Sequence, residues 1–501
     1  MTPANIPQFY ANKKILITGG TGFLGKVLLE KLLRSCPAID KIYLIIRSSR
    51  GKKPEARFEE IKQLALFEKL RTESPASFDK VVLMEGDMSE LNLGLSPADY
   101  KTLVQSVSIV FHVAASVRFD DDLSDAVKMN ARGTREICQM AMQMKKLVTF
   151  LYVSTTYCNC DRKVIDEKIY PAHAEWDKTI EIIEKVDPAI MNILTPKFIG
   201  SLPNTYTFSK SLSEHVISHY EGKLPVIIFR PSIVISSWQE PIAGWIDNFN
   251  GPAGLMLGAG KGVIRTAIIN PDAVPDYMPV DIACKAMIVA AWKKAAKDNS
   301  DKQLTIYNCS SRSKSISSRE LVKIAYDAFW VAPMHDILWI PTSHYCQNET
   351  VLYFNVLFKH LLPALIADTI FNLSGRKPML VKLHRKIYKA MLSLSYFTLR
   401  EWTFKNENFL NLSKAILPDD KDSFDYDFSD IDPNEFFLRA MMGGRQYLLH
   451  EDMSKLEEAR TKAYRIYYFE IFLKSSFVVW IVWLINYLHI WQTLASMTMM
   501  S

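Results

Sequence analysis

The sequence predicts an α/β chain: a doubly wound parallel sheet with an attached subdomain, then a mostly helical region, then an apolar C-terminal segment. Three observations predict it. Short apolar runs alternate with helix-period segments through the first third of the chain, which is the pattern of successive β-α-β units. From about Val351 to Leu449 strand-like runs give way to helical periods. The stretch SFVVWIVWLINYLHIW, Ser476 to Trp491, is uncharged and strongly apolar.

Taken in order, KKILITG is the first strand and GFLGKVLLEKLLRS a helix with apolar residues at helical spacing. KIYLIIR is the second strand, followed by the basic stretch RSSRGKKPEARFEEI. KVVLMEGD (80–87), SIVFHVAA (108–115) and VTFLYVST (148–155) read as further buried strands separated by helices. YTFSKSLSEHVISHY is another helix and PVIIFRPSIV another strand. The region from Trp238 to Met278 reads as loop, rich in Gly, Pro and Asn. VLYFNVLFKHLLPALIADTIFNL is long and apolar, but Lys359, His360, Pro363 and Asp368 interrupt it. It reads as an amphipathic or membrane-touching helical pair rather than a clean span. A chain of 501 residues exceeds one ordinary domain. The expected boundaries are 1–345 for the α/β unit, with the substrate part mainly 236–345, then 346–465 for the helical unit and 466–492 for a membrane segment. No internal repeat of solenoid length is evident.

Composition narrows the function. With 60 basic against 54 acidic residues and a net charge of +6, no nucleic-acid footprint is expected. The seven cysteines include no C-x-x-C pair, so reduced, scattered thiols are expected and no metal site. The N-terminal stretch lacks the apolar core of a cleavable signal peptide. Lys455, Arg460, Lys462, Arg465 and Lys474 precede the apolar tail and none follows it, which places the main body on the cytosolic side.

ILITGGTGFLGKVLLEKLL gathers Gly19, Gly20, Gly22 and Gly25 between a strand and a helix. Glycines at this turn let the backbone approach a pyrophosphate, and N–H groups at the helix start then bind the anion. A Rossmann-type dinucleotide site follows, with Gly20 as a variable position. The second strand ends in Arg47, with Arg50, Lys52 and Lys53 nearby, where an acidic residue would suit NAD. A guanidinium suits a 2′-phosphate, so NADPH is the expected cofactor. Asp87 is placed to bond the adenine, and the small Ala114 and Ala115 let the cofactor lie close.

Tyr206 and Lys210 in YTFSK lie four apart and share a helix face. An ammonium beside a phenol lowers the phenol pKa and readies it as a general acid toward a carbonyl oxygen. About 50 residues earlier a strand ends in Ser154-Thr155-Thr156, whose hydroxyls can bond the same oxygen.

TGGTGFLG, FHVAA, KMNARGT, the hydroxyl cluster and YTFSK together resemble the extended branch of the short-chain dehydrogenase/reductases. By that resemblance the catalytic hydroxyl is Thr155, with Ser154 and Thr156 as neighbours left open. The cofactor-contacting set becomes Thr18, Gly19, Gly22, Phe23, Leu24, Gly25, Arg47, Asp87 and Ala114, with Tyr206 and Lys210. Pro231 and Ser232 of FRPSIV would run along the nicotinamide, and Asn130 is either a helix anchor or part of a proton relay. The resemblance narrows further. KIYLIIR, YVSTTYCN, PNTYTFSKSLSE, GWIDNFNGPAG, VPDYMPVD, GRKPMLVKLHRKIYKA, FDYDFSDIDPNEFF and GGRQYLL are similar to eukaryotic alcohol-forming fatty acyl-CoA reductases, over nearly the whole chain. One departure is Asp432-Pro433, where an aromatic residue is expected after the aspartate.

That resemblance implies reduction of a long-chain acyl-CoA to a primary alcohol by two NADPH, through a bound aldehyde and with release of CoA. It also implies contact with membrane lipid, with the endoplasmic reticulum ahead of the peroxisome as location. Whether the chain forms a homo-oligomer is left open. Trp245, Asn248 and Asn250 are expected to wall the acyl-CoA entrance. The rival readings are another membrane-associated extended reductase, such as a sterol dehydrogenase, and a non-catalytic NADPH-binding scaffold.

Overall fold

The computed structural model describes residues 5–49, 51–296, 302–311, 315–342 and 344–487. Arg50 and residues 488–492 of the expected membrane segment lie outside the described residues. The centre is a seven-stranded sheet. Its strands in chain order are β1 (Lys14–Thr18), β2 (Lys41–Ile46), β3 (Val81–Glu85), β4 (Ile109–His112), β5 (Thr149–Val153), β6 (Val226–Pro231) and β7 (Thr305–Cys309). The spatial order is β7-β6-β5-β4-β1-β2-β3, every pair parallel. The order reverses beside β1, so the β1 and β4 C-terminal ends flank a topological switch point, where open α/β sheets bind ligands.

Both sheet faces are covered, which is why the strands are apolar throughout rather than alternating. Ile15, Ile17, Ile227 and Phe229 face one core with the helix Val280–Ala296. Leu16, Val110, Phe150 and Ile228 face the other, closed by the helices Gly133–Gln143 and Thr205–His219. The seventh strand escaped the sequence pattern because polar Asn308 breaks its short apolar run. In the fold Asn308 is fully buried and donates to the Ile165 and Lys405 carbonyls at 3.2 and 2.7 Å.

The region read as a Gly/Pro/Asn loop contains one short helix. Residues Pro252–Gly260 are helical, with proline in the first turn where its missing N–H is harmless. Their small side chains admit Ile264 and Met334 against the helix. The helical C-terminal region returns to the sheet rather than standing apart. Thr403–Phe404 pairs in parallel with Val164–Ile165, and Phe409, Tyr426 and Phe428 join the core beneath the sheet. Among the described residues, two helices are long and apolar enough to cross a membrane by length and composition: Glu349–Leu373, mean hydropathy 1.5, and Met453–Tyr487, mean hydropathy 1.7.

Candidate active site

The turn after β1 is built by steric necessity. Gly19 has φ +72°, and a Cβ there would lie 2.6 Å from the Ala114 nitrogen. A Cβ on Gly25 would lie 2.2 Å from the Gly19 carbonyl oxygen, so helix and turn touch only because Gly25 has no side chain. Gly22 caps the helix Phe23–Ser35. A Cβ on Gly20 would meet only the tip of the Leu44 side chain, in keeping with a variable position.

One cavity of about 1850 Å³ runs over these strand ends. It is lined by Gly19, Gly22, Phe23, Leu24, Gly25, Arg47, Asp87, Ala114, Ala115, Ser154, Thr155, Tyr206, Lys210, Pro231 and Ser232. The structure thus gathers the expected cofactor set and the expected catalytic set around one space, larger than a site for a single small ligand. Three expected residues do not reach it. Thr18 is fully buried. Its hydroxyl bonds His112 Nδ1 at 2.7 Å and accepts from the Ala114 N–H at 3.1 Å, so it ties the glycine turn to β4. Thr156 is likewise fully buried, which leaves Ser154 and Thr155 as the hydroxyls on the cavity. Trp245 is buried and stacks on Phe23 at 5.5 Å, backing the wall that Asn248 and Asn250 line.

At the far end of β2, Arg47 is 57% exposed with its Nη1 3.7 Å from Asp87 Oδ2. Asp87 Oδ1 is taken up by the Ser89 N–H and hydroxyl at 2.9 and 2.8 Å. Arg57 lines the same end and donates to the Arg47 carbonyl, a second cation that the strand-end reasoning missed because it lies on the next helix. Lys52 instead pairs with Glu60.

Asn204 caps the helix Thr205–His219 and so sets the direction of its first turn, where Tyr206 sits. The Tyr206 ring stacks on Phe119 at 5.6 Å. Burial raises its phenol above the ordinary range, and a hydrogen bond with Thr155 opposes the rise. Lys210 is buried. Its Nζ donates to the Val153 carbonyl at 2.7 Å and lies 4.8 Å from the centre of the Tyr152 ring. Burial pushes this ammonium down to about 7, against the Cys158 thiol and the Glu214 carboxylate. The expected lowering of Tyr206 by Lys210 is therefore not what the folded chain does. Burial dominates the phenol and keeps it protonated, the state that a proton donor requires.

Beneath Lys210 lies an ion pair with no sequence signal. Arg230 on β6 meets Glu214 bidentately, with both contacts at 2.7 Å and both side chains almost wholly buried. Arg230 also donates to the Asp166 and Lys168 carbonyls. Asn130 donates to Ser209 Oγ at 2.8 Å and holds Ser116 through both its N–H and carbonyl, which anchors the loop after β4 to the Tyr206 helix. Aromatic residues from three segments close the substrate end: Phe397 lies 5.4 Å from Phe119 and 5.5 Å from Tyr157, and Trp402 lies 5.3 Å from Tyr157. No local pattern marks them, since Phe397 and Trp402 lie some 190 residues beyond Tyr206.

A dinucleotide fits this arrangement. The Cβ-free turn leaves backbone exposed to a pyrophosphate, Arg47 and Arg57 stand at the strand end, and the Ser232 hydroxyl on the cavity is buried without a hydrogen-bond partner among the described residues.

Comparison with known proteins supplies the chain's relatives. Residues 17–287 match a family model described as male sterility protein, of the NAD-binding type, and residues 359–451 match the companion Sterile model, also described as male sterility protein. The chain is 40% identical over 457 residues to fatty acyl-CoA reductase 1 of Xenopus laevis, covering 91% of this chain and 88% of that one. It is 38% identical to the Homo sapiens protein of the same name over the same shares. It is 36% identical to fatty acyl-CoA reductase 2 of Bos taurus, covering 92% and 89%. Among solved structures, the terminal R domain of the myxalamid PKS-NRPS pathway superposes with TM-score 0.59 at 19% identity, covering 87% of this chain and 90% of that one. The reductase domain of a nonribosomal peptide synthetase from Mycobacterium tuberculosis gives TM-score 0.59 at 19% identity, covering 89% and 93%. These two share the fold.

Proposed function

The chain belongs to the fatty acyl-CoA reductase family of male sterility proteins, and from that premise we propose that it reduces a long-chain acyl-CoA to a primary alcohol with NADPH. The observation that carries this reading is the convergence of Tyr206, Thr155 and Lys210 on the cavity that the glycine turn opens. Two NADPH molecules, bound in turn, would each supply one hydride: the first to the thioester carbon, whose collapse releases CoA as the thiol, and the second to the aldehyde left behind.

The protein's own groups do the rest. Thr155 and the protonated Tyr206 offer hydroxyls to the carbonyl oxygen as charge develops on it, worth most in a site with little water. Tyr206 donates its proton when the aldehyde oxygen becomes an alcohol. Lys210, held by the Val153 carbonyl, keeps a cation near that oxygen. The preference for NADPH over NADH rests on Arg47 and Arg57, a pair of guanidinium groups suited to a 2′-phosphate. Phe119, Phe397 and Trp402 give the thioester end an apolar wall, which helps retain the aldehyde between steps.

The tail belongs to the same reading. The helix Leu456–Tyr487 exposes Phe472, Phe477, Val479 and Trp483 over its outer half, which suits burial in a membrane with the catalytic body on the cytosolic side. A product profile tests the whole. Incubation with palmitoyl-CoA and NADPH should yield hexadecanol and free CoA with no aldehyde build-up. Turnover of sterols with no acyl-CoA reduced would sink the proposal.

A further inference from the structure

The helical segment Glu349–Leu373 has two faces of opposite kind. Leu352, Val356, His360, Ala364 and Asp368 recur every fourth residue and are buried, against a cluster that includes Ile264, Ile268 and Met391. The other face is apolar and open: Phe354, Phe358, Leu362, Ile366, Ile370 and Leu373 are between 47% and 83% exposed. A contiguous apolar face of this kind marks an interaction site on a water-soluble surface.

The buried face fixes how the segment lies. His360 Nε2 accepts from the Arg265 N–H at 2.9 Å. Asp368 accepts from the Met379, Leu380 and Val381 N–H groups at 3.0, 3.0 and 2.9 Å. That carboxylate caps the next helix, Leu380–Thr398, and locks the two into a hairpin. A straight span would carry Asp368 and His360 into hydrocarbon, so this helix lies along a surface with one face down.

Charge indicates what the surface is. Arg376, Lys377, Lys382 and Arg385 are exposed along the hairpin and stand clear of the catalytic cavity. Asp368 is the only acidic residue between positions 359 and 389, and it is turned inward. The tail is a neighbour: its Ala463, Ile466 and Tyr467 pack in one cluster with Leu257, whose helix also presents Leu255 and Ala259 to the cluster under the hairpin. On the inner side, Lys386, Ile387 and Ala390 line the catalytic cavity.

We propose that the hairpin 349–398 is a second, surface-lying membrane contact: its apolar face sinks into a leaflet beside the tail, its basic rim binds anionic phospholipid headgroups, and the cavity wall at Lys386 and Ile387 opens onto the lipid. The proposal rests on the membrane part of the preceding reading and not on the reaction. An acyl chain then passes between bilayer and active site without crossing water, where each methylene adds to the cost of transfer.

The test uses the full-length chain reconstituted into phosphatidylcholine vesicles with and without phosphatidylserine. A Cys346→Ala background removes the one described cysteine that is not buried. An environment-sensitive fluorophore is attached through Phe358→Cys, through Leu365→Cys as an independent site on the same face, and through Met142→Cys as an exposed control on the helix Gly133–Gln143. At 358 and 365 the expected result is blue-shifted emission, quenching by lipids brominated on their chains, and loss of quenching by aqueous iodide. At 142 iodide should quench and brominated lipid should not. The double variant Lys382→Ala, Arg385→Ala should lower the lipid-quenched fraction on phosphatidylserine vesicles and leave it unchanged on phosphatidylcholine alone. Iodide quenching at 358 and 365 equal to that at 142 overturns the proposal. So does protection from iodide without quenching by brominated lipid, which would mean that a second copy of the chain covers the face. An equal loss for the double variant on both vesicle types overturns the headgroup contact. Acyl-CoA reduction measured in the same preparations separates the two readings. Lipid quenching in an inactive preparation sinks the reaction and leaves the surface standing, whereas activity without lipid quenching sinks the surface alone.

Discussion

Replacing Tyr206 by phenylalanine removes one oxygen and little else. The ring keeps its place against Phe119, and Lys210 keeps its bond to the Val153 carbonyl. What is lost is the proton donor and the partner of Thr155. A positioned general acid contributes about 100- to 10,000-fold, which corresponds to about 3 to 5 kcal/mol of transition-state stabilisation. The expected outcome is a fall of that size in kcat for NADPH-dependent alcohol formation, with NADPH affinity unchanged in a fluorescence titration. The pH profile adds a second constraint. The burial-raised phenol stays protonated through neutral pH, whereas Lys210 loses its proton near 7. The cation that supports the developing oxyanion is present below that value and absent above it. In the wild type kcat/KM should therefore fall as pH rises through about 7. In Lys210→Met this limb should vanish and the rate should be low throughout. Wild-type turnover by Tyr206→Phe, or an unchanged limb in Lys210→Met, would refute the assignment of roles.

Other perturbations read different parts of the structure. Gly25→Ala forces a Cβ to within 2.2 Å of the Gly19 carbonyl oxygen, so dinucleotide binding should be abolished and the melting temperature should drop, in line with overpacking costs of about 1–3 kcal/mol. Arg47→Asp should raise KM for NADPH about 10- to 100-fold, the worth of a hydrogen bond to a charged group, while KM for NADH stays the same or falls. Glu214→Gln strands the buried Arg230 guanidinium and should cost about 3–5 kcal/mol in denaturant unfolding. Lys210 also makes stability depend on pH. The unfolded chain holds its proton up to 10.5 but the folded chain only up to about 7, so unfolding between these values takes up a proton and this group's contribution to stability rises with pH. Lys210→Met should accordingly gain most on the wild type below about 7, and a series of melts should show that difference shrinking as pH increases.

Much of the site was written locally. The glycine spacing after an apolar run, Arg47 at the end of the next strand, and the four-residue step from Tyr206 to Lys210 each depend on one or two turns of backbone, so the chain alone determines them. Six of the seven main strands were legible for the same reason: strands buried on both faces must be apolar throughout. Thr18 shows where such reading stops. It belongs to the glycine motif, but its direction is decided by His112 on the neighbouring strand, which turns it away from the cavity. β7 stayed hidden because Asn308 is tolerable inside a sheet only when a distant segment, at Lys405, accepts its hydrogen bond.

The sequence by itself determined the parallel sheet, the dinucleotide turn and the apolar character of the two long helices, because each follows from residue spacing along one element. Only the tertiary structure decided that Phe397 and Trp402 close the active site, that burial rather than Lys210 governs the Tyr206 phenol, and that the helix Glu349–Leu373 offers one face outward and spends the other on His360 and Asp368. These depend on which distant side chains exclude water from a group, and periodicity along a single segment carries no record of that.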